Sequence, residues 1–493
     1  MITHQAPLDM DEVTIVPSCA FRIPGALALR KYVLPFYETQ GKILVACLDP
    51  LDDGALRTVE RHCGMPVTAE AAEKDSLLRA IHAIYGRGTR QQATTAAAAQ
   101  PAEESVRRVD EMLNAAAVKD ASDIHIEPAA HHVRIRFRVH GCLEDYQTIS
   151  HAVYAGLLGR IKILSRLDIA EKRLPQDGQI DYTSPATGRT MTLRAATIAT
   201  KFGERVTLRL LGQLSSSLTL KGLGMIAENL DHLSAALTKL SGMILITGPT
   251  GSGKTSTMYA ALRHLLDHQK ITPPNIITIE DPIEIVLPGI SQIEVDEQRL
   301  TPAKALRSVL RHDPDVILIG EIRDRETAEI ALRAAMTGHL VISTLHTRTA
   351  TSAISRLLDL GVEPYLVASS VHLVIAQRLV RRLCPQCRTP FPLNRLATLG
   401  LGDTTLEGQT AWNANGCKYC AGSGFKGRLA IFELFEIDGE AATLIVTNSA
   451  ESTYRDLQKR RGETTLRSDA ITKVLSGAAA PDECARALSG VRD

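Results

Sequence analysis

The strongest constraint on this chain is one segment that fits the phosphate-loop pattern G-x-x-x-x-G-K-[ST] at every fixed position. Its residues are Gly248, Pro249, Thr250, Gly251, Ser252, Gly253, Lys254 and Thr255. The mostly apolar run at 243–247 predicts a strand before it, and residues 256–266 predict a helix after it. A loop between strand and helix is the context in which this motif binds a polyphosphate.

The residue types of the loop match that chemistry. Glycines let the backbone wrap around a phosphate, and N–H groups at a helix N-terminus bind its negative charge. Lys254 is expected to reach the β- and γ-phosphates, and the Thr255 hydroxyl to hold Mg²⁺. A glycine-rich turn with a lone lysine is the simpler alternative. The complete motif in its context favours binding of a nucleoside triphosphate, although the residues do not distinguish adenine from guanine.

Carboxylates follow two later predicted strands. Glu280 ends the run at 276–279, and Glu321 comes just after the run at 316–319. Ligands of a doubly wound sheet bind at the carboxyl ends of its strands, so both side chains should converge on the nucleotide. Gly320 stands where the second NTPase motif usually has the Mg²⁺-binding Asp. We therefore expect Glu321 to support Mg²⁺ directly or through water and Glu280 to act as general base, the alternative being solvated acidic loops.

Two histidines flank a fourth predicted strand, at 340–344. His346 lies at its carboxyl end and is expected to sense the γ-phosphate, whereas the case for His339 is weaker. Histidines in isolation are more often structural, which is the alternative for both.

Composition limits the partners. The 493 residues predict about three domains. A net charge of +1 and only 4% aromatic residues argue against a nucleic-acid groove, so the basic alternation at 134–138 is read as one polar strand face. The sequence has no apolar run of about 18 residues, and its acidic residues Asp9, Asp11 and Glu12 do not predict a secretory signal. A cytosolic protein that reaches a membrane only by recruitment is expected.

Four of the nine cysteines form two C-x-x-C pairs separated by 29 residues. Two such pairs supply four thiolates for one tetrahedral Zn²⁺, and four protein ligands define a structural site. A disulfide or a redox motif is the alternative, but disulfides are rare in cytosolic proteins. The predicted ligands are Cys384, Cys387, Cys417 and Cys420.

Hydrophobic periodicity and low-complexity composition divide the chain into six regions. The predicted fold is α/β, with a P-loop (RecA-like) ATPase core behind a mixed α+β domain. The predicted boundaries are 1–87 for an N-terminal domain, 88–104 for a flexible linker, 105–215 for the α+β domain, 216–380 for the ATPase core, 381–430 for the tetracysteine zinc module and 431–493 for a C-terminal helical region.

Taken in order, the blocks 248–255, 277–284, 317–324 and 338–347 resemble the Walker A, Asp-box, Walker B and His-box elements of one family. It comprises the motor ATPases of type II secretion and type IV pilus assembly (the general secretion pathway protein E type). The resemblance spans about residues 106–493 and includes the segments at 121–128, 173–178 and 377–384.

The resemblance implies ATP as the nucleotide and a homo-hexameric ring. It also implies that arginines of the α+β domain reach the phosphates; Arg194 and Arg209 match those positions, and Arg205 matches less well. The segment at 195–200 lacks the proline common there. The simpler alternative is arginines lining one strand face in water.

The resemblance further implies a partner and a machine. Residues 1–87 would bind the cytoplasmic part of an inner-membrane assembly-platform protein, placing the chain peripherally at the inner membrane. A zinc module with one short N-terminal domain favours type II secretion, with pilus extension as the alternative. A DNA-uptake or nucleic-acid translocase motor and a nucleotide-gated binding module with negligible turnover stay open as different classes.

Overall fold

The structure is a computed structural model that describes residues 7–39, 41–85, 101–185, 188, 190–211, 219–268, 273–296, 299–420 and 422–491. Two compact units divide the chain. The first contains residues 1–213 and 415–424, and the second contains residues 214–414 and 425–493. Most of the predicted linker, 88–100, lies outside the described residues, and the helix that follows already begins at Pro101.

The first part of unit 1 is a small α/β domain. Strands β1 and β2 are antiparallel, β2 and β3 are parallel, and the three form one sheet. Apolar residues of the sheet and helices, such as Phe36 and Leu77, are fully buried in its core. Its elements are α1 (Pro17–Ala20), α2 (Gly25–Lys31), β1 (Val33–Thr39), β2 (Lys42–Cys47), α3 (Asp53–Cys63), β3 (Val67–Ala71) and α4 (Lys74–Tyr85).

The segment 415–424 packs on this small domain. Thr14 Oγ1 donates a hydrogen bond of 2.6 Å to the carbonyl of Tyr419, and Lys418 pairs with Glu70. A late part of the sequence therefore contributes to unit 1, which no local pattern predicts.

The rest of unit 1 is a six-stranded antiparallel sheet with the order β6-β5-β4-β9-β8-β7. Alternating residues of its strands, such as Ile135 and Phe137, are buried against helices α5 and α6. The opposite face carries arginines, as period-two alternation requires. The elements are α5 (Pro101–Val118), β4 (Ala121–Pro128), β5 (Val133–Val139), β6 (Cys142–Ile149), α6 (His151–Leu164), β7 (Gln176–Thr183), β8 (Thr190–Thr200) and β9 (Gly203–Leu211).

Unit 2 alternates strands and helices over most of its length. Its strands are β10 (Gly242–Thr247), β11 (Ile276–Glu280), β12 (Ser291–Glu294), β13 (Val316–Ile319), β14 (Leu340–Leu345), β15 (Val371–Leu383), β16 (Thr389–Pro392), β17 (Thr410–Asn413) and β18 (Phe425–Glu436). Its helices are α7 (Ala227–Leu237), α8 (Lys254–His268), α9 (Pro302–Val309), α10 (Arg325–Met336), α11 (Ala350–Asp359), α12 (Pro364–Ser370), α13 (Arg395–Leu401), α14 (Gly439–Val446), α15 (Glu451–Arg460), α16 (Leu466–Leu475) and α17 (Pro481–Leu488).

The main sheet of unit 2 has seven strands in the order β12-β11-β13-β14-β10-β15-β18. The first six are parallel, and β18 joins antiparallel to β15. Strands β10, β11, β13 and β14 are buried throughout, as expected for a parallel sheet covered on both faces. Their carboxyl ends meet at one edge, where the phosphate loop begins.

The α/β class with a RecA-like core is therefore confirmed. The long strand β18 crosses the predicted boundary at residue 430, and its second half, 431–436, lies where the sequence predicted helix. Its partner in the sheet, β15, is distant in sequence, so this pairing is decided by the tertiary fold.

Candidate active site at the carboxyl edge of the sheet

The predicted loop joins β10 to α8, and the helix begins at Lys254. Gly251 and Gly253 have φ values of 77° and 90°, in the left-handed region that favours glycine. The end of the loop and the start of α8 together form a helix N-terminus, where an anion binds well.

The ammonium group of Lys254 folds over the loop. It donates hydrogen bonds of 2.9 Å to the carbonyl of Gly248 and 3.3 Å to that of Pro249. Burial lowers the pKa of Lys254, and the negative charge of Glu321 opposes that shift. Lys254 and Glu321 are therefore electrostatic neighbours across β10, β14 and β13.

The hydroxyl of Thr255 points to a carboxylate that the sequence reading did not assign a role. Thr255 Oγ1 lies 3.5 Å from Oε1 of Glu284, in the loop that follows β11. The signal was present in the sequence, because Glu284 closes the same acidic run as Glu280. A cation held by Thr255 would have Glu284 within reach.

Glu280 lies in a different environment at the end of β11. The side chain is buried and accepts hydrogen bonds from Thr278 Oγ1 at 2.6 Å, from Gln292 Nε2 at 2.9 Å and from the Tyr259 hydroxyl. Burial, reinforced by the bond to Glu280, raises the pKa of Tyr259. Three donors fix this carboxylate, so its predicted role as general base requires exchange of one donor for water.

Glu321 and His346 are brought together from two strands. His346 Nε2 lies 2.9 Å from Glu321 Oε2, and Arg323 pairs with the other carboxylate oxygen. His339 lies at the opposite end of β14, where its Nδ1 contacts the carbonyl of Ala334 at 3.0 Å. The structure thus separates the two histidines and leaves only His346 at the edge with the loop.

Arg194 and Arg209 lie opposite each other on β8 and β9 of unit 1. Arg209 Nε is 2.9 Å from Asp123 Oδ1, whereas Arg205 pairs with Glu127 at 2.9 Å. The two predicted arginines therefore share one face of the sheet. Their contact with phosphates stays a prediction.

The four cysteines of the predicted zinc site come together. One sulfur atom from each of Cys384, Cys387, Cys417 and Cys420 lies within 4.8 Å of the others. Cys417 Sγ and Cys420 Sγ are 3.7 Å apart, close to the ~3.8 Å spacing that Zn–S bonds of about 2.3 Å give in a tetrahedron. Backbone N–H groups of Cys417 and Gly424 point to Cys420 Sγ at 3.2 Å each. This donor set fits a zinc ion.

A phosphate loop, an adjacent lysine and carboxylates at the strand ends define a P-loop ATPase. The family described as Type II/IV secretion system protein matches residues 98–486, and the MshEN domain matches residues 4–91. The chain belongs to the Type II/IV secretion system protein family and is an ATPase of that family.

Three relatives illustrate the relationship. The type II secretion system protein E of Aeromonas hydrophila is 39% identical and covers 96% of this chain and 97% of its own. Type II secretion system protein HxcR of Pseudomonas aeruginosa is 46% identical over 77% of this chain and 76% of its own. The type IV pilus assembly ATPase PilB of Thermus thermophilus is 37% identical, covering 95% of this chain but 54% of its own.

Solved structures share the fold. The ATPase DotB of Legionella pneumophila superposes with a TM-score of 0.59 at 21% identity, covering 81% of this chain and 98% of its own. The pilus retraction motor PilT with bound ADP superposes with a TM-score of 0.52 at 25% identity, covering 77% and 96%. Among the described residues, no helix is both long and apolar enough to cross a membrane.

Proposed function

We propose that this chain is the motor ATPase of a type II secretion machine, converting Mg²⁺-dependent ATP hydrolysis into assembly of a pseudopilus. The observation that carries the chemistry is the phosphate loop with Lys254 at the carboxyl edge of β10. It lies next to Glu321, just after β13, and to Glu284, in the loop after β11. Relatives named as type II secretion proteins, matched over nearly the whole chain, support the machine.

Each polar group at the edge has a distinct role. Lys254 exchanges its loop carbonyls for the β- and γ-phosphates, and the Thr255 hydroxyl binds Mg²⁺. Glu321, held by His346 and Arg323, positions the metal and the attacking water. Glu280 is the proposed general base, and Glu284 supports the cation beside Thr255.

Hydrolysis by the purified full chain tests the enzymatic part. Lys254→Ala should abolish turnover and weaken nucleotide binding. Glu321→Gln should keep binding and lower turnover to a small residual rate, since only metal and water positioning change. Lys304→Ala, at an exposed lysine on α9, is the control and should behave as wild type. Turnover of Lys254→Ala at the wild-type rate would overturn the site.

Complementation in cells tests the machine. A deletion strain carrying Lys254→Ala should retain its exoproteins inside the cell while still assembling pili. The reverse result, normal secretion with lost pili, would favour the type IV pilus motor, which the similarity to PilB supports as second candidate. Stimulation of hydrolysis by DNA would instead favour a nucleic-acid translocase, which the net charge of +1 argues against.

Assembly and location follow from the same proposal. The working form is a homo-hexamer in the cytoplasm, recruited to the inner membrane by an assembly-platform protein that binds residues 1–87. Removal of those residues takes away no proposed catalytic group. It should therefore leave hydrolysis within about threefold of wild type but abolish co-fractionation with the inner membrane. If the truncated chain associated with the membrane as well as wild type does, the surface that binds the platform protein would lie outside residues 1–87.

Zinc completes the proposed cofactors. The four cysteine sulfurs would hold one structural Zn²⁺, which stabilises the segments that carry them and takes no part in hydrolysis.

A further inference from the structure

Gln377 is a buried polar residue in the middle of β15, the strand beside β10. Its neighbour Ala376 is in register with Thr247, the last residue before the phosphate loop. Only 1% of Gln377 is exposed to solvent. A primary amide in this position must find hydrogen-bond partners inside the protein, because an unpaired buried amide is costly.

Both ends of the amide are paired to the phosphate loop and its helix. Gln377 Nε2 donates to the carbonyl of Ser252 at 2.7 Å, and Gln377 Oε1 accepts from Thr257 Oγ1 at 2.8 Å. Ser252 lies in the loop, and Thr257 lies in the first turn of α8. The amide therefore bridges the two sides of the backbone segment whose N–H groups would face a phosphate in the proposed site.

The loop also lies directly against Gln377. A Cβ atom added to Gly253 would come within 2.9 Å of Gln377 Nε2, and one added to Gly248 would come within 2.6 Å of the Gln377 carbonyl oxygen. Two glycines of the motif are thus needed partly because β15 approaches so closely. The position of Gln377 and the path of the loop are mutually determined.

We propose that Gln377 is a positioning residue for the ATPase reaction: it holds the phosphate loop in the conformation that presents the N–H groups of residues 253–255 and the Lys254 ammonium to the phosphates. This inference rests on the proposed nucleotide site. It adds a residue outside the four motif blocks, one that acts through the loop without touching nucleotide.

The test compares two identical substitutions at buried glutamines. Gln377→Met keeps the length of the side chain but removes both hydrogen bonds. Gln458→Met, in α15, is the matched control. Gln458 is only 3% exposed, and its Nε2 donates a hydrogen bond of 2.7 Å to the carbonyl of Leu434. Each full-length variant is measured for Tm without nucleotide, for the rise in Tm on adding MgADP, and for KM and kcat with MgATP.

Both variants should lose Tm without nucleotide, because each loses a buried hydrogen bond. Only Gln377→Met should lose most of the MgADP-induced rise in Tm and show a KM raised by about 10-fold or more. Gln458→Met should keep KM within about twofold of wild type. A wild-type KM and a wild-type rise in Tm for Gln377→Met would overturn the role of Gln377 while leaving the nucleotide site intact.

A second variant covers the case in which Gln377→Met does not fold. Thr257→Val removes one of the two hydrogen bonds of the Gln377 amide, the one from Thr257 Oγ1 to Gln377 Oε1. It should raise KM by a smaller factor, about threefold, with kcat nearly unchanged. An unchanged KM for Thr257→Val would count against the proposal. If the wild-type chain itself shows neither hydrolysis nor a MgADP-induced rise in Tm, the nucleotide site fails and the inference fails with it.

Discussion

The imidazole Nε2 of His346 lies 2.9 Å from Oε2 of Glu321. This side-chain hydrogen bond joins the carboxyl ends of the neighbouring strands β14 and β13. Arg323 pairs with the other oxygen of the same carboxylate. Glu321 is therefore oriented from two sides, and a change at His346 should act through Glu321.

His346→Ala should lower kcat by about 10-fold with little change in KM, because the carboxylate loses one of its two orienting partners. Steady-state ATP hydrolysis measures this split. His62→Ala, at an exposed histidine of α3, is the control. In the background of Glu321→Gln the His346 substitution should have no further effect, and an additive loss would show that His346 acts on the phosphate independently.

The proposed roles of Glu280 and Glu284 can be distinguished by how the hydrolysis rate of each variant depends on the Mg²⁺ concentration. Glu280→Gln should lower kcat by ~100-fold or more even at saturating Mg²⁺, since a general base is lost. Glu284→Gln should keep kcat but raise the Mg²⁺ concentration for half-maximal activity, because Glu284 contacts Thr255. The opposite pattern in a Mg²⁺ titration would transfer the role of base to Glu284.

Arg194→Ala and Arg209→Ala should each lower kcat by about 100-fold or more, in the range of arginines that stabilise a phosphoryl-transfer transition state. Circular dichroism should show an intact fold, since Arg194 is exposed and Arg209 is largely so. Arg57→Ala on α3 is a control at another exposed arginine. Wild-type kcat in both variants would remove the two arginines from the mechanism.

Metal analysis should find one zinc per chain. Cys417→Ser should lose that zinc, because three thiolates no longer close the tetrahedron. Cys142→Ser, on β6 and outside the cluster, should retain it. Chelation should lower the thermal stability of the chain at chelator concentrations that leave nucleotide binding unchanged. An unchanged zinc content in Cys417→Ser would disprove the site.

The buried carboxylate of Glu433 predicts a pH-dependent stability. It accepts a hydrogen bond of 2.6 Å from the backbone N–H of Ala350, and burial raises its pKa from 4.5 to about 7, with Arg378 opposing the shift. Between these values the folded chain keeps a proton that the unfolded chain has lost, so the unfolding free energy falls as the pH rises.

Glu433→Gln should remove this contribution, which amounts to at most about 1.4 kcal/mol per pH unit. Urea denaturation at pH 5, 6, 7 and 8 measures the slope. Glu407→Gln, at an exposed glutamate of the same unit, is the control and should keep the wild-type slope. An identical slope in Glu433→Gln and wild type would contradict the assignment.

Several strands were predictable because their signals are local. The fully apolar run of β13 was predicted with the boundaries that the structure has, and the predicted alternation at 134–138 lies within β5. The pairing of β18 with β15 was not predicted, because the residues of an edge strand do not indicate which strand it pairs with. The packing of residues 415–424 with unit 1 was likewise beyond any local pattern.

The sequence alone determined the chemistry of the chain: a phosphate loop needs glycines, a lysine and a threonine at fixed spacing, and a tetracysteine site needs two close pairs, so both are written in short segments. Only the tertiary structure decided which side chains orient those groups. His346 on Glu321, Glu284 beside Thr255 and Gln377 beneath the loop come from strands and loops far apart in sequence. The physical reason is that a parallel sheet brings distant strand ends to one edge, and buried polar groups there must pair with whatever neighbours the strand order provides.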